Sequence, residues 1–193
     1  MRIGIDARMM GGTFGLGRYV QKLVKHLETI DEENEYIIFL RKENWDTYIP
    51  KRPSFRKVLA DIPWYSWQEQ FFMPGILHSN HLDLIHFPHF NVPLLYRRPY
   101  VVTIHDLTML HVPASARSAL TTHHPWVHQF KHACFRIILM GALRMARHII
   151  TVSQAVKKDI ITTLSVDPRK ISVVWEGCDP LPPASSIVPL GVH

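Results

Sequence analysis

A glycine-rich run and a His-Asp pair are the parts of this sequence whose types and spacing could do chemistry. Residues 9–19 read Met-Met-Gly-Gly-Thr-Phe-Gly-Leu-Gly-Arg-Tyr. Glycine lets the backbone turn tightly and approach a ligand closely. A helix opening in such a run presents free N–H groups and the positive end of its dipole. Gly12, Gly15 and Gly17 therefore suit a phosphate or diphosphate, with an ordinary strand-to-helix turn as the alternative. Two phosphate motifs fail on inspection. The dinucleotide fingerprint G-x-G-x-x-G, begun at Gly15, needs a glycine where Val20 stands, and the P-loop spacing Gly12 to Gly17 is followed by Arg18-Tyr19 instead of Lys and a hydroxyl. His105-Asp106 follows the apolar run YVVTI. A histidine at a strand end can bond a sugar hydroxyl or a phosphate, or move a proton. A structural partner for it is the alternative reading.

Other chemistries are weaker. The chain has 13 histidines, and His124, His128 and His132 share a helical face. The first and third would lie about 12 Å apart along the axis, too far to converge on one ion. His78, His81, His86 and His89 form only a loose group, so no metal site is expected. Two cysteines, Cys134 and Cys178, give neither a disulfide framework nor a zinc spacing. The net charge of +6 and pI near 9.5 admit nucleic acid, anionic membranes or phosphorylated ligands. No nucleic-acid module or interleaved basic-aromatic stripe is present, so nucleic acid is not expected. Trp126, Lys131 and Arg136 in segment 123–147 suit either an acceptor or membrane-facing side, or a core helix with its basic side in water. Trp64, Tyr65 and Trp67 could stack on sugars or pack internally.

These residues need a scaffold. At 193 residues and 47% hydrophobic composition, the chain can bury one sizeable core. RIGI (2–5), YIIFL (36–40), FRKVL (55–59), LDLIHF (82–87), YVVTI (100–104), HIITV (148–152) and ISVVW (171–175) read as strands. Their apolar runs are continuous, as in a parallel sheet buried on both faces. The 3.6-residue period of Leu16, Val20, Leu23, Val24 and Leu27 predicts a helix over 15–30. Pro125 suits the first turn of a helix reaching about 147, and Ser153 caps the next. Trp64–Leu77 is a possible helix that Pro74-Gly75 should limit. Strand alternating with helix predicts an α/β, Rossmann-like three-layer sandwich with a mostly parallel sheet of about seven strands. The domain is expected to span 1–178. Residues 179–193, with four prolines and no period, read as a linker or disordered tail. No signal peptide and no long apolar run is visible, so a soluble cytoplasmic protein is expected, with peripheral contact on the inner face of the membrane as an option.

Four segments in order carry a resemblance: IGIDARMMGG…GLGRYVQKLVKHL, VVTIHDLTMLHVP, ARHIITVSQAVKKDI and KISVVWEGCD. Together they resemble the N-terminal domain of retaining GT-B glycosyltransferases of family 4. The resemblance implies an acceptor-side domain that meets a donor-binding second domain across a cleft. It implies a nucleoside-diphosphate sugar as donor, a glycan or lipid-linked acceptor, and neither cofactor nor metal. By the match, Gly12, Gly15 and Gly17 face the donor diphosphate. His105 is the active-site histidine near the transferred sugar, Asp106 its companion, and Ser153 opens a helix. Glu176-Gly177-Cys178-Asp179 stands where the family has Asn-Gly-Val-Asp. The family's second domain has no counterpart in these residues, so the chain alone is expected to be incomplete. A catalytically inert binding or interaction domain derived from the same fold is the alternative.

Overall fold

Tyr36, Ile37, Ile38, Phe39 and Leu40 are all between 0 and 3% exposed. Consecutive burial of this kind requires cover on both faces of the strand, because successive side chains point to opposite sides. Ile38 and Leu40 pack with Val20 and Val24 of the first helix. Ile37 and Phe39 pack with Met73 and Leu77 of the second. The sheet therefore sits between two helical layers. This arrangement comes from a computed structural model, which describes residues 1–12, 15–111 and 125–179, the side chains of 125–131 excepted.

Seven strands form the sheet: β1 (Arg2–Asp6), β2 (Glu35–Leu40), β3 (Phe55–Leu59), β4 (Leu84–Phe87), β5 (Tyr100–Ile104), β6 (His148–Thr151) and β7 (Ile171–Val173). Their order is β3-β2-β1-β4-β5-β6-β7, and every neighbouring pair is parallel. The expected Rossmann-like sandwich is thus borne out. Among the described residues the α-helices are α1 (Gly15–Ile30), α2 (Trp67–Ser79), the short α3 (Thr108–His111), α4 (Pro125–Met145) and α5 (Gln154–Leu164). Ser153 caps α5 as expected, its hydroxyl accepting from the Val156 N–H at 3.2 Å.

The second helix corrects the sequence reading. Pro74 lies inside α2 and does not end it. A mid-helix proline costs about 3 kcal/mol. Met73 and Leu77 are both fully buried, and each such side chain contributes roughly 1.5–3 kcal/mol. Packing offsets the proline, and Ser66 starts the helix by accepting from the Glu69 N–H.

Strand order reverses between β1 and β4. In open parallel sheets, ligands settle outside the strand carboxyl ends at such a switch point. Asp6 ends β1, Pro88 follows β4, His105 follows β5, and α1 begins beside them.

Candidate functional site

Beneath the switch point lies a buried network of charges. Arg8 is only 1% exposed. Its guanidinium grips Asp6 twice, Nε to Oδ1 at 2.8 Å and Nη2 to Oδ2 at 2.7 Å. It also donates to the Ile62 carbonyl at 3.1 Å and to Glu69 Oε1 at 2.5 Å. Glu69, fully buried, accepts further from Asn91 Nδ2 at 2.5 Å and from the Tyr65 N–H at 3.1 Å. Burial disfavours the Arg8 charge, but Asp6 and Glu69 outweigh it and the group is held above its ordinary value. Burial raises the Glu69 carboxyl, against the pull of Arg8. Each member is hydrogen-bonded, the condition under which charges persist in an interior. The chain β1–α2–post-β4 loop is therefore locked at this edge.

A second set of groups lies on the β5 side. His105 Nε2 is 3.0 Å from the Pro88 carbonyl, and Nδ1 is 3.0 Å from Glu176 Oε1. Both neighbours are acceptors, so both contacts are hydrogen bonds only when both ring nitrogens carry protons. Tyr19 of α1 stands edge-on to the His105 ring at 4.8 Å, and its hydroxyl lies 3.4 Å from Thr103 Oγ1. Thr103 also meets His86 Nε2 at 2.8 Å. Burial, then the neighbouring His105, lowers His86 to about 4, and the same causes in the same order lower His89 to about 4. Both are neutral near pH 7.

The segment after β7 closes over this side. Glu176 reaches His105, while Asp179 pairs with Arg18 and, at 2.6 Å, with Lys22 on α1. The Lys22 bond first, then the Arg18 bond, lower the Asp179 carboxyl. Asp106 is exposed, and its carboxylate accepts from the Thr108 N–H at 2.8 Å, capping α3.

The glycines divide by role. Gly15 opens α1 in open space. A Cβ on Gly17 would stand 2.7 Å from the Met9 carbonyl oxygen and 2.8 Å from the Gly12 nitrogen. That glycine lets α1 press against its own loop. Gly11, at φ +80° and against Thr47, serves the turn itself. Gly12 is exposed beside it. Thr13 and Phe14, between these glycines, lie outside the described residues.

Arg136 is exposed on α4 and its neighbour Phe135 packs edge-on against Phe90 at 5.0 Å. The side chains of Trp126, Lys131 and His128 and the whole of His124 lie outside the described residues, as do residues 180–193 of the expected tail. Among the described residues no group of His, Cys, Asp or Glu could hold a metal ion, and no helix is long and apolar enough to cross a membrane.

His105 and the helix that opens in the glycine run meet at one sheet edge, where Tyr19 of α1 stands 4.8 Å from the His105 ring. The sequence reading did not single out Asp6, Arg8, Glu69 or Asn91. The signal available was Asp6-x-Arg8, two opposite charges just past an apolar strand. Partners 61 and 22 residues apart left no local trace. His86 and His89 separate from His78 and His81, which are exposed.

The sequence model described as Glycosyltransferase Family 4 matches residues 14–180. The chain belongs to glycosyltransferase family 4. It is 26% identical over 117 residues to the O-antigen chain mannosyltransferase RfbU of Salmonella typhimurium, an alignment covering 61% of this chain and 29% of that relative. The chain thus spans under a third of that relative's length where the two align. Within this family 4 domain, the matched stretch takes in α1, the β4 and β5 ends and Glu176.

Proposed function

We propose that residues 1–178 are the acceptor-side half of a retaining glycosyltransferase built from two Rossmann-like halves. It transfers a sugar from a nucleoside-diphosphate sugar to a glycan or lipid-linked acceptor. The donor is held mainly by a second unit not contained in these 193 residues. The observation that carries this reading is the convergence of His105, the start of α1 and Glu176 at the carboxyl edge of a family 4 domain.

In this reading the α1 amides near Gly15, with Gly12 beside them, face the donor diphosphate. Gly17 supports that loop from behind. His105, oriented by Pro88 and Glu176, stands beside the transferred sugar. Retention follows from attack of the acceptor hydroxyl on the face the diphosphate leaves. The proton of that hydroxyl passes to the departing diphosphate oxygen, and no carboxylate pair at glycosidase spacing is required. Asp106 keeps the His105 turn in place through α3. Arg136, with Trp126 and Lys131, belongs to an acceptor or membrane-facing flank.

The test is transfer and donor hydrolysis across a panel of nucleotide sugars, begun with a mannosyl donor because the relative is named for mannosyl transfer. The 193-residue chain is compared with the same chain joined to a donor domain. Activity only in the joined form, reduced at least about a hundredfold by His105→Ala, is the expected result. Full activity in His105→Ala would sink its role. Activity in the chain alone would mean the donor is bound here. Silence in both forms would favour a purely binding domain.

A further inference from the structure

The second helix carries apolar residues on both of its sides. Met73 and Leu77 are buried in the core against the sheet. On the outward side Trp67, Phe71 and Phe72 are 71%, 64% and 64% exposed, and Tyr65, just before the helix, is 61% exposed. A helix that is apolar all round belongs in an interior, and a large exposed apolar patch marks a contact surface. The described residues place nothing over this one. Four aromatic rings, each about two-thirds exposed, offer roughly 400–650 Å2. A specific interface takes about 800 Å2 from each partner. The rings supply the larger part of one partner's share, and the exposed Gln68, Gly75, His78 and Ser79 beside them add to it.

Charge decides what can cover this face. The chain has 22 Lys and Arg residues and a net charge of +6, yet none of the 22 lies between Val58 and Tyr96. The other long helices turn cations outward: Arg18 and Lys25 on α1, Arg136 and Arg144 on α4, Lys158 on α5. Two copies meeting on those helices would set like charges together. The exposed residues of α2 include no Asp, Glu, Lys or Arg, so a second +6 chain meets no facing cation there. An anionic membrane draws in helices through Lys and Arg on their polar side, and α2 offers it none.

The shape of the face is complementary to itself. Trp67, Phe71, Gly75 and Ser79 stand at i, i+4, i+8 and i+12, along one ridge of the helix surface. The ridge is bulky in its first half and small in its second. Laid antiparallel on a second copy, with the two-fold axis level with Met73, the bulky half of each ridge lies over the small half of the other. Trp67 then meets Ser79, and Phe71 meets Gly75. A two-fold interface demands this reciprocity. A Cβ on Gly75 would find nothing within 4 Å, so the monomer has open space where the partner ring would sit. Arg97 and Arg98 follow Tyr96, which meets His78 near the C-terminal end of α2, and antiparallel pairing keeps the Arg pairs of the two copies at opposite ends. We propose that the outward face of α2 is a dimer interface, on which a second copy of this chain packs antiparallel with Phe71 of each over Gly75 of the other. This inference is independent of the transferase reading.

Sedimentation equilibrium of the 193-residue chain is the test. The wild-type chain should pass from a 22.4 kDa monomer to a dimer of twice that mass, with Kd on the order of 10 μM for an interface of this size. High salt should tighten the dimer by screening the two net charges. Gly75→Lys should weaken association at least about a hundredfold. Its urea midpoint should not fall, because lysine exceeds glycine in helix propensity and its Cβ meets no neighbour. Phe71→Glu, at an exposed ring, should weaken association as strongly. Mixed together, the two variants should associate again, since one Phe71–Gly75 contact stays native and the other carries opposite charges. A wild-type chain that stays monomeric at about ten times that Kd, a dimer that survives Gly75→Lys, or two variants that stay apart when mixed would each overturn the proposal. So would flotation of a monomeric wild-type chain with phosphatidylglycerol vesicles that Phe71→Glu abolishes, because the face would then belong to a membrane.

Discussion

The two sides of the sheet's carboxyl edge are built on opposite principles. On the β1 and β4 side, Arg8 and Glu69 are 1% and 0% exposed and tie together three segments of chain. On the β5 and β7 side, His105 is held to a half-exposed Glu176, and Arg18 and Lys22 are held to an exposed Asp179. Desolvated charges cannot exchange a protein partner for water without great cost. Exposed pairs can, and salt screens them. One wall is therefore fixed and the other adjustable.

The largest test of this contrast is Arg8→Met. It leaves the buried Glu69 and the partly buried Asp6 without their cation, and about 3–5 kcal/mol of stability should be lost. Urea midpoints would show it. Arg18→Met on the exposed wall should leave the midpoint where it is. Equal shifts in the two variants would break the comparison.

Acidification should also act between the two sides, where His86 of β4 meets Thr103 of β5. His86 and His89 titrate near 6.5 when unfolded and about 4 when folded. Their folded values are depressed, so the stability they contribute is complete above about 6.5 and is lost as pH falls through about 4. Each lost unit is worth up to about 1.4 kcal/mol per histidine. His86→Asn should flatten the decline in urea midpoint across that window. An unchanged slope would mean that His86 is not buried as a neutral ring.

How much of this was legible in sequence depends on the range of the contact. The strands could be read because Tyr36–Leu40 and their counterparts are apolar without interruption, a pattern only two-face burial explains. α1 could be read from its period. α2 could not be read through Pro74, because the packing of Met73 and Leu77 that offsets the proline is tertiary. The glycine run pointed to a ligand at every position, yet Gly17 answers to the Met9 carbonyl. The Arg8–Glu69–Asn91 network was invisible because its contacts cross the sheet and leave no spacing. His105 was legible because a strand end is a position that topology alone supplies.

Gly17→Ala probes the seam between the walls. Alanine gains helix propensity at this position, but its Cβ would stand 2.7 Å from a carbonyl oxygen that cannot rotate away. Overpacking of this kind costs about 1–3 kcal/mol. Urea denaturation should show a net loss, with the Gly15 amide resonance displaced. A stabilised variant would mean that the loop can withdraw from α1.

The smallest expected effect is the most informative about the adjustable wall. Glu176→Gln keeps the size of the side chain and removes its charge. The pair it forms with His105 is 23% and 49% exposed, so its loss should cost less than about 1 kcal/mol. The urea midpoint should barely move, and high salt should narrow the difference further. The local signal should be large. His105 Nδ1 lies 3.0 Å from Glu176 Oε1, and without that acceptor a proton on Nδ1 should exchange with water and disappear from the spectrum, while Nε2 keeps the Pro88 carbonyl. A protected Nδ1 proton in the variant would mean that His105 is fixed by β5 and α1 alone. A loss of stability as large as that of Arg8→Met would mean that Glu176 belongs to the rigid wall, and that the carboxyl edge has no side free to move.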